Sequence, residues 1–262
     1  MLSENSTDVA VVTYPPIIDA KPTDMSTVFT AMKKCLDMSN EAGQAHAIQT
    51  FDQQLYAIAQ QVKWSRPDIF ESHILRLGGF HTLSCFITSL GKLWADGGLR
   101  DLLVDSGVNA GSTAEQMLTG KQFNRAVRGF TIVFEALKIL FVTSFIHWCR
   151  TADHFDKIPD VFWDALLEFH RGISKNSSQT QDLTHNMTEL FEAHIQPLID
   201  IYKQWGCAAS PTFKYWYMFL EAVEIMLSNV RAERECNWSL HLRSSSQMLP
   251  YFFVTNRTNY SR

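Results

Sequence analysis

Positive charge is scarce in this chain. Its 23 lysines and arginines are outnumbered by 27 aspartates and glutamates, giving a formal charge of −4. That balance excludes a free-standing basic nucleic-acid module, which would carry a clustered positive excess. It leaves metal-dependent DNA chemistry open, because a metal site itself needs local carboxylates. Cysteine is sparse as well: Cys35, Cys85, Cys149, Cys207 and Cys236 are odd in number and form no C-x-x-C pair. This excludes a disulfide framework and fits reduced thiols in an intracellular protein, in nucleus or cytoplasm. His147 and Cys149 have no partner pair at zinc spacing. MLSENSTDVAVV at the start has no basic residues and no apolar run of signal-peptide length. LTGKQF at residues 118–123 lacks the earlier glycine and the following Ser/Thr of a phosphate loop, and no G-x-S-x-G occurs.

Apolar and aromatic residues, by contrast, are plentiful, at 46% and 12% of the 262 residues. That excludes a disordered chain and is enough for a sizeable core, in one large domain or two smaller ones. The most apolar run, residues 129–149, carries Glu135 and Lys138 near its middle. A buried central helix is expected there, and no membrane association.

The first third of the chain has mixed periodicity. Thr23 or Asp24 opens a helix whose Val28, Met32, Cys35 and Leu36 follow helical spacing, ended by Gly43. AIQTF is a short apolar run that stops at Asp52. A helix over residues 53–63 follows, stopped by Pro67, and then a second strand over residues 74–77. Strand, helix, strand reads as a βαβ unit with parallel strands, whose polar groups gather at the strand C-termini. From Thr82 onward the period is helical. Ser112 with Glu115 predicts a capping box. Residues 121–150 form one long helix, and Ser210–Pro211 starts another that reaches Glu235. SKNSSQTQD, residues 174–182, reads as the main loop and hinge. Pro197 predicts a kink. A last helix ends near Pro250, leaving YFFVT extended. The fold class is therefore mostly α with a small parallel β component.

Three side chains stand out for chemistry. Asp52, at a strand end and a helix start, is either a metal ligand or an N-cap. His81 follows Gly78 and Gly79, which let the chain turn tightly; it is either a site residue or a core histidine. On the last long helix, Glu221, Glu224, Arg231 and Glu235 share a face expected to be solvated. Glu233 lies nearer Ala222 and Met226, turned toward the body of the protein or paired locally with Arg231 or Arg234. The cluster FKYWYMF, residues 213–219, reads as core.

The stretches TFDQQLY, LRLGGFHTLSCFITSLG, MLTGKQFNRAVRGF and VRAERECNWSLHL, with MLPYFF and NY beyond, resemble a family of uncharacterised, multicopy metazoan proteins linked to transposable elements. By that resemblance Asp52, Gln53, Gly79, His81, Arg125, Arg128, Arg231, Glu233, Trp238 and His241 are the positions to watch. The layout is also similar to the C-terminal part of an RNase H-like, hAT-type transposase. That likeness implies a partial RNase H-like α/β core, residues 1–81 plus 211–262, with residues 82–210 as a helical insertion. It implies Asp52, His81 and Glu233 as catalytic residues, with Asp52 and Glu233 holding Mg2+ for two-metal phosphoryl transfer. Such enzymes need an earlier Asp, and neither Asp8 nor Asp19 sits at a convincing strand end. The expectation is a chain truncated at both ends, inactive alone, reaching DNA only through missing parts, and assembling as a homo-oligomer or with a partner protein. The alternative is a helical protein-interaction module with no catalytic activity. The first reading requires Asp52, His81 and Glu233 to meet within roughly 8–10 Å.

Overall fold

The computed structural model describes residues 14–174, 180–257 and 260. Asp8 and residues 175–179 of the expected hinge lie outside the described residues. The chain divides into two compact units, Met1–Ala126 with Ile225–Arg262, and Val127–Glu224. The first therefore takes in residues 82–126, placed with the insertion on the sequence reading.

The first unit begins with α1 (Met25–Glu41), β1 (Ala47–Phe51), α2 (Gln53–Ser65), α3 (Pro67–Phe70) and β2 (His73–Leu77). The strands pair in parallel, with Ala47 opposite His73 and Phe51 opposite Leu77. This is the expected βαβ unit, and the fold is mostly α with a small parallel sheet. Burial alternates as strand geometry requires. Ala47 and His73 are fully buried, while their neighbours Ile48 and Ile74 are exposed. Ala47 joins Val28, Met32 and Leu36 of α1, Ala59 and Val62 of α2, and Phe70 of α3 in one core cluster. Pro67 at the first turn of α3 both ends α2 and starts the next turn, as a residue without an N–H can.

Next come α4 (Gly79–Trp94), a kink at Ala95–Leu99 where Gly98 takes a φ of 108°, α5 (Arg100–Asp105) and α6 (Gly111–Leu118). α4 starts three residues before the expected Thr82, so His81 lies in its first turn. The capping box at Ser112 does not form: the N-cap of α6 is Ala110, which places Ser112 inside the helix. α4 and α6 approach so closely that a Cβ at Gly91 would overlap the backbone of Leu118. α7 (Phe123–Thr151) carries the chain into the second unit, and α11 (Pro211–Arg234) returns it. α12 (Trp238–Val254) then runs straight through Pro250, where the sequence predicts a stop. Met248 and Phe252 are buried on either side of that proline, and Thr255 beyond it bonds Ser89 of α4 at 2.8 Å. Burial on one face outweighs the hydrogen bond that proline removes.

The second unit holds α8 (Asp160–Ser174), α9 (Thr180–Leu190) and α10 (Gln196–Ala209), with a π-turn at Phe191–Ile195 just before Pro197. The kink expected at that proline is thus a turn of widened helix. Its core gathers Phe145, Trp148, Cys149, Phe162, Leu198 and Tyr202, and the Tyr202 hydroxyl donates to Ser144 Oγ at 2.8 Å. Of the 213–219 cluster, Phe219 is fully buried and Met218 is exposed. α7 is not the buried central helix expected. Only 22% of its most apolar window is buried, and Ile139 and Leu140 are about two-thirds exposed. By length and composition alone α7 could cross a membrane.

Replacing Gly91 by Ala should force α4 and α6 apart. The expected loss is about 1–3 kcal/mol, the usual range for overpacking, read from urea denaturation; a neutral result would refute the close packing.

Candidate functional site

Asp52 follows β1 and caps α2. Its Oδ1 accepts a hydrogen bond from Leu55 N–H at 2.8 Å, so the N-cap reading of this residue is realised. The two strand ends are tied together by Gly78 N–H, which donates to the Phe51 carbonyl at 2.8 Å. His81 is exposed in the first turn of α4, against Phe80. It is not a core histidine.

Glu233 reaches the same corner from the end of α11. A Cβ on Gly79 would stand 2.9 Å from Glu233 Oε1, so the carboxylate lies close against the N-terminus of α4. That is a favourable place for an anion, because the helix amides there lack intrahelical partners. Neither Arg231 nor Arg234 pairs with it; Arg231 binds Glu235 at 2.9 Å instead. The partner is Arg76 of β2, whose NH2 donates to Glu233 Oε1 at 2.8 Å. Arg76 also lies over the Trp238 ring at 4.9 Å, and Trp238 stacks on His241 with ring planes 12° apart. His241 Nδ1 is 2.7 Å from Glu233 Oε1. The contact is close but out of line for a hydrogen bond, and Nδ1 has no partner of good geometry.

Asp52, His81 and Glu233 therefore all border the Gly78–Gly79 corner, each engaged or oriented differently. Among the described residues, no three His, Cys, Asp or Glu side chains gather closely enough to hold a metal ion. Asp52 Oδ1 accepts from a helix amide, and Glu233 faces a guanidinium on one side and an imidazole on the other.

The residue that sequence reasoning missed is Arg76. Its one signal is a lone cation inside the apolar strand HILRL. His73 was missed too. It is fully buried, with Nε2 3.0 Å from Gln49 Oε1 on the neighbouring strand and its carbonyl bonded by Lys63 Nζ.

Beside the corner lies a groove of about 630 Å³. Ile48, Ile74 and Arg76 line it from the sheet, and Trp238, Leu242 and Leu249 from α12. Ile48 and Ile74 are direct partners across the ladder. Tyr260 also lines it, its phenol pushed up to about 12 by burial first and then by the charges of Cys85 and Asp52.

A family model described as a domain of unknown function (DUF8702) matches residues 1–262. The chain belongs to that family. Among curated proteins and among solved structures, nothing matches it. Both the acidic corner and the groove lie within the span of the DUF8702 match.

Two measurements follow from this geometry. If Asp52 acts as a cap, Asp52→Ala should cost about 1 kcal/mol, while Asp52→Asn, which also caps well, should cost little. Equal losses in urea denaturation would count against capping.

The second concerns acid. Burial holds the His73 imidazole below the ordinary histidine range, and the Lys63 charge adds to this. His241 is lowered as well, by burial first, with Glu233 opposing and Arg76 reinforcing. The unfolded chain thus takes up these protons more readily than the folded one. Their contribution to stability is complete above about pH 6.5 and declines as the pH falls through the lowered folded values. The Tm should drop from about pH 7 to about pH 5, and His73→Gln should flatten that slope. A Tm that rises on acidification contradicts the assignment.

Proposed function

We propose that the first unit is an interaction module without catalytic activity, and that the groove between the open sheet face and α12 is its working surface. One observation carries this reading. Ile48 and Ile74, paired across a parallel ladder, are 65% and 45% exposed on the floor of the groove. Parallel sheets are normally covered by helices on both faces, because both faces are apolar. Here α1 and α2 cover one face, and the other presents a β-branched pair to the groove. The volume and the apolar lining with a few polar groups at one end match the general character of binding sites, about 300–1,000 Å³.

The ancestry from an RNase H-like transposase core stays as a second reading, favoured by one feature. An acidic residue at the end of a parallel strand, a histidine and a glutamate from a late helix all border one corner. On that reading the corner is a remnant whose carboxylates have passed to structural work. DNA would be a target only of parts outside this corner, and Mg2+ would have no role here.

Two assays test the proposal on the full chain. With Mg2+ or Mn2+ present, single- and double-stranded DNA should remain uncut. Metal-dependent cleavage that is lost in Asp52→Asn without a change in Tm would overturn it. At nanomolar protein concentration, anilinonaphthalene sulfonate should bind the folded chain with a fluorescence rise. Leu242→Glu should abolish the rise with a stability change within about 0.5 kcal/mol, as for an exposed position; undiminished dye binding in that variant would sink the groove as the docking surface.

A further inference from the structure

We infer that the occupant of the groove is a second copy of this chain, docked through α12 in an antiparallel pair about a two-fold axis. This rests on the docking role proposed above. Trp238, Leu242, Leu249 and Phe253 are 51%, 52%, 39% and 64% exposed. At about 100° per residue they form one stripe along the helix. From Trp238 to Val254 the only Lys, Arg, Asp or Glu is Arg243, so the stripe carries little charge to oppose pairing.

The order of residues along the stripe then selects the partner. Leu242 and Leu249 lie symmetrically about the midpoint between Ser245 and Ser246, and so do Trp238 and Phe253. A stripe with this symmetry is complementary to itself when turned end for end. In an antiparallel pair crossing at the serines, each Leu242 meets the other copy's leucine at 249, and each Trp238 meets the phenylalanine at 253. This is the self-matching surface that an isologous dimer requires. The two serines are the small residues of the stripe, and they fall where the helix axes come closest. Their size allows the roughly 8–10 Å approach of packed helices.

The sheet completes the fit. Ile48 and Ile74 line the same groove as Leu242 and Leu249, so a helix seated on the stripe also covers the open sheet face. The second copy thereby supplies the helical layer that this face of a parallel sheet lacks. A partner with a different sequence would satisfy the burial but not the symmetry of the stripe.

Sedimentation velocity on the full chain at micromolar concentration tests this. The expected species is a dimer, twice 30.0 kDa. Leu242→Glu should weaken dimerisation roughly tenfold or more, because each interface would then bury two carboxylates. Met218→Glu, also at an exposed apolar position but in the other unit, should leave it unchanged. Ser245→Cys, placed in a Cys236→Ser background to remove the exposed native thiol, should form a symmetric disulfide under mild oxidation, and Ser239→Cys should not. Circular dichroism of each variant checks that the fold is retained. A monomer throughout the concentration range overturns the inference, as does a dimer indifferent to Leu242→Glu or a crosslink at 239 in preference to 245. A monomer that still binds the dye defeats the second copy alone. A monomer that does not bind it defeats the docking surface as well.

Discussion

The carboxylate of Glu233 is the point at which the first unit is tied together. It projects from the end of α11, receives Arg76 from β2, fills the space that Gly79 leaves at the start of α4, and stands against His241 of α12. Two pairs of consecutive elements, β2 with α4 and α11 with α12, distant from each other in sequence, meet on one group. As an ion pair it is unexceptional: both partners are part-exposed, and such pairs contribute about 0–1 kcal/mol each. Its importance is positional. The anion sits where a helix N-terminus and a guanidinium both favour negative charge, so the strand, α4 and α12 are held in one relation. Trp238 and His241, stacked beside it, extend the same contact along α12.

Fixing α12 in that position has a consequence for the sheet. A two-stranded parallel sheet has two apolar faces, and α1 and α2 can cover only one. α12 is held beside the other face by the Glu233 cluster and by packing on α4, where Ser89 meets Thr255. What is left between them is the groove. The acidic corner and the groove are thus two results of one arrangement. The charges anchor the helix, and the anchored helix leaves the Ile48–Ile74 pair facing an open channel. Of the two carboxylates, Asp52 caps the first turn of α2 and Glu233 holds the corner.

Much of this was legible in local sequence. AIQTF and HILRL, separated by a helical stretch ending in proline, specify strand, helix, strand, and chain connectivity then makes the strands parallel. Ser210–Pro211 marks the start of α11 with its own cap, Ser210 Oγ accepting from Phe213 N–H. Helical spacing sets Glu233 in the sector of Ala222 and Met226, both fully buried, while its own side chain stays 40% exposed against Arg76. Where local rules erred, burial had overridden them. The helix continues past Pro250 because Met248 and Phe252 are anchored on one face. Ser112 makes no capping box because the helix begins before it. The apolar run of α7 is largely exposed, since apolar composition states what a helix could bury but not what is there to bury it against.

The sequence by itself determined most of the elements and their periodicity: the two paired strands, the start of α11, and the sector of α11 that Glu233 shares with buried positions. These follow from interactions a few residues apart, which residue order encodes directly. Tertiary structure alone decided that Glu233 would find Arg76, 157 positions away. It also decided that Ile48 and Ile74 would be left uncovered. Pairing and exposure depend on which surfaces come together in space, and a one-dimensional pattern does not state that.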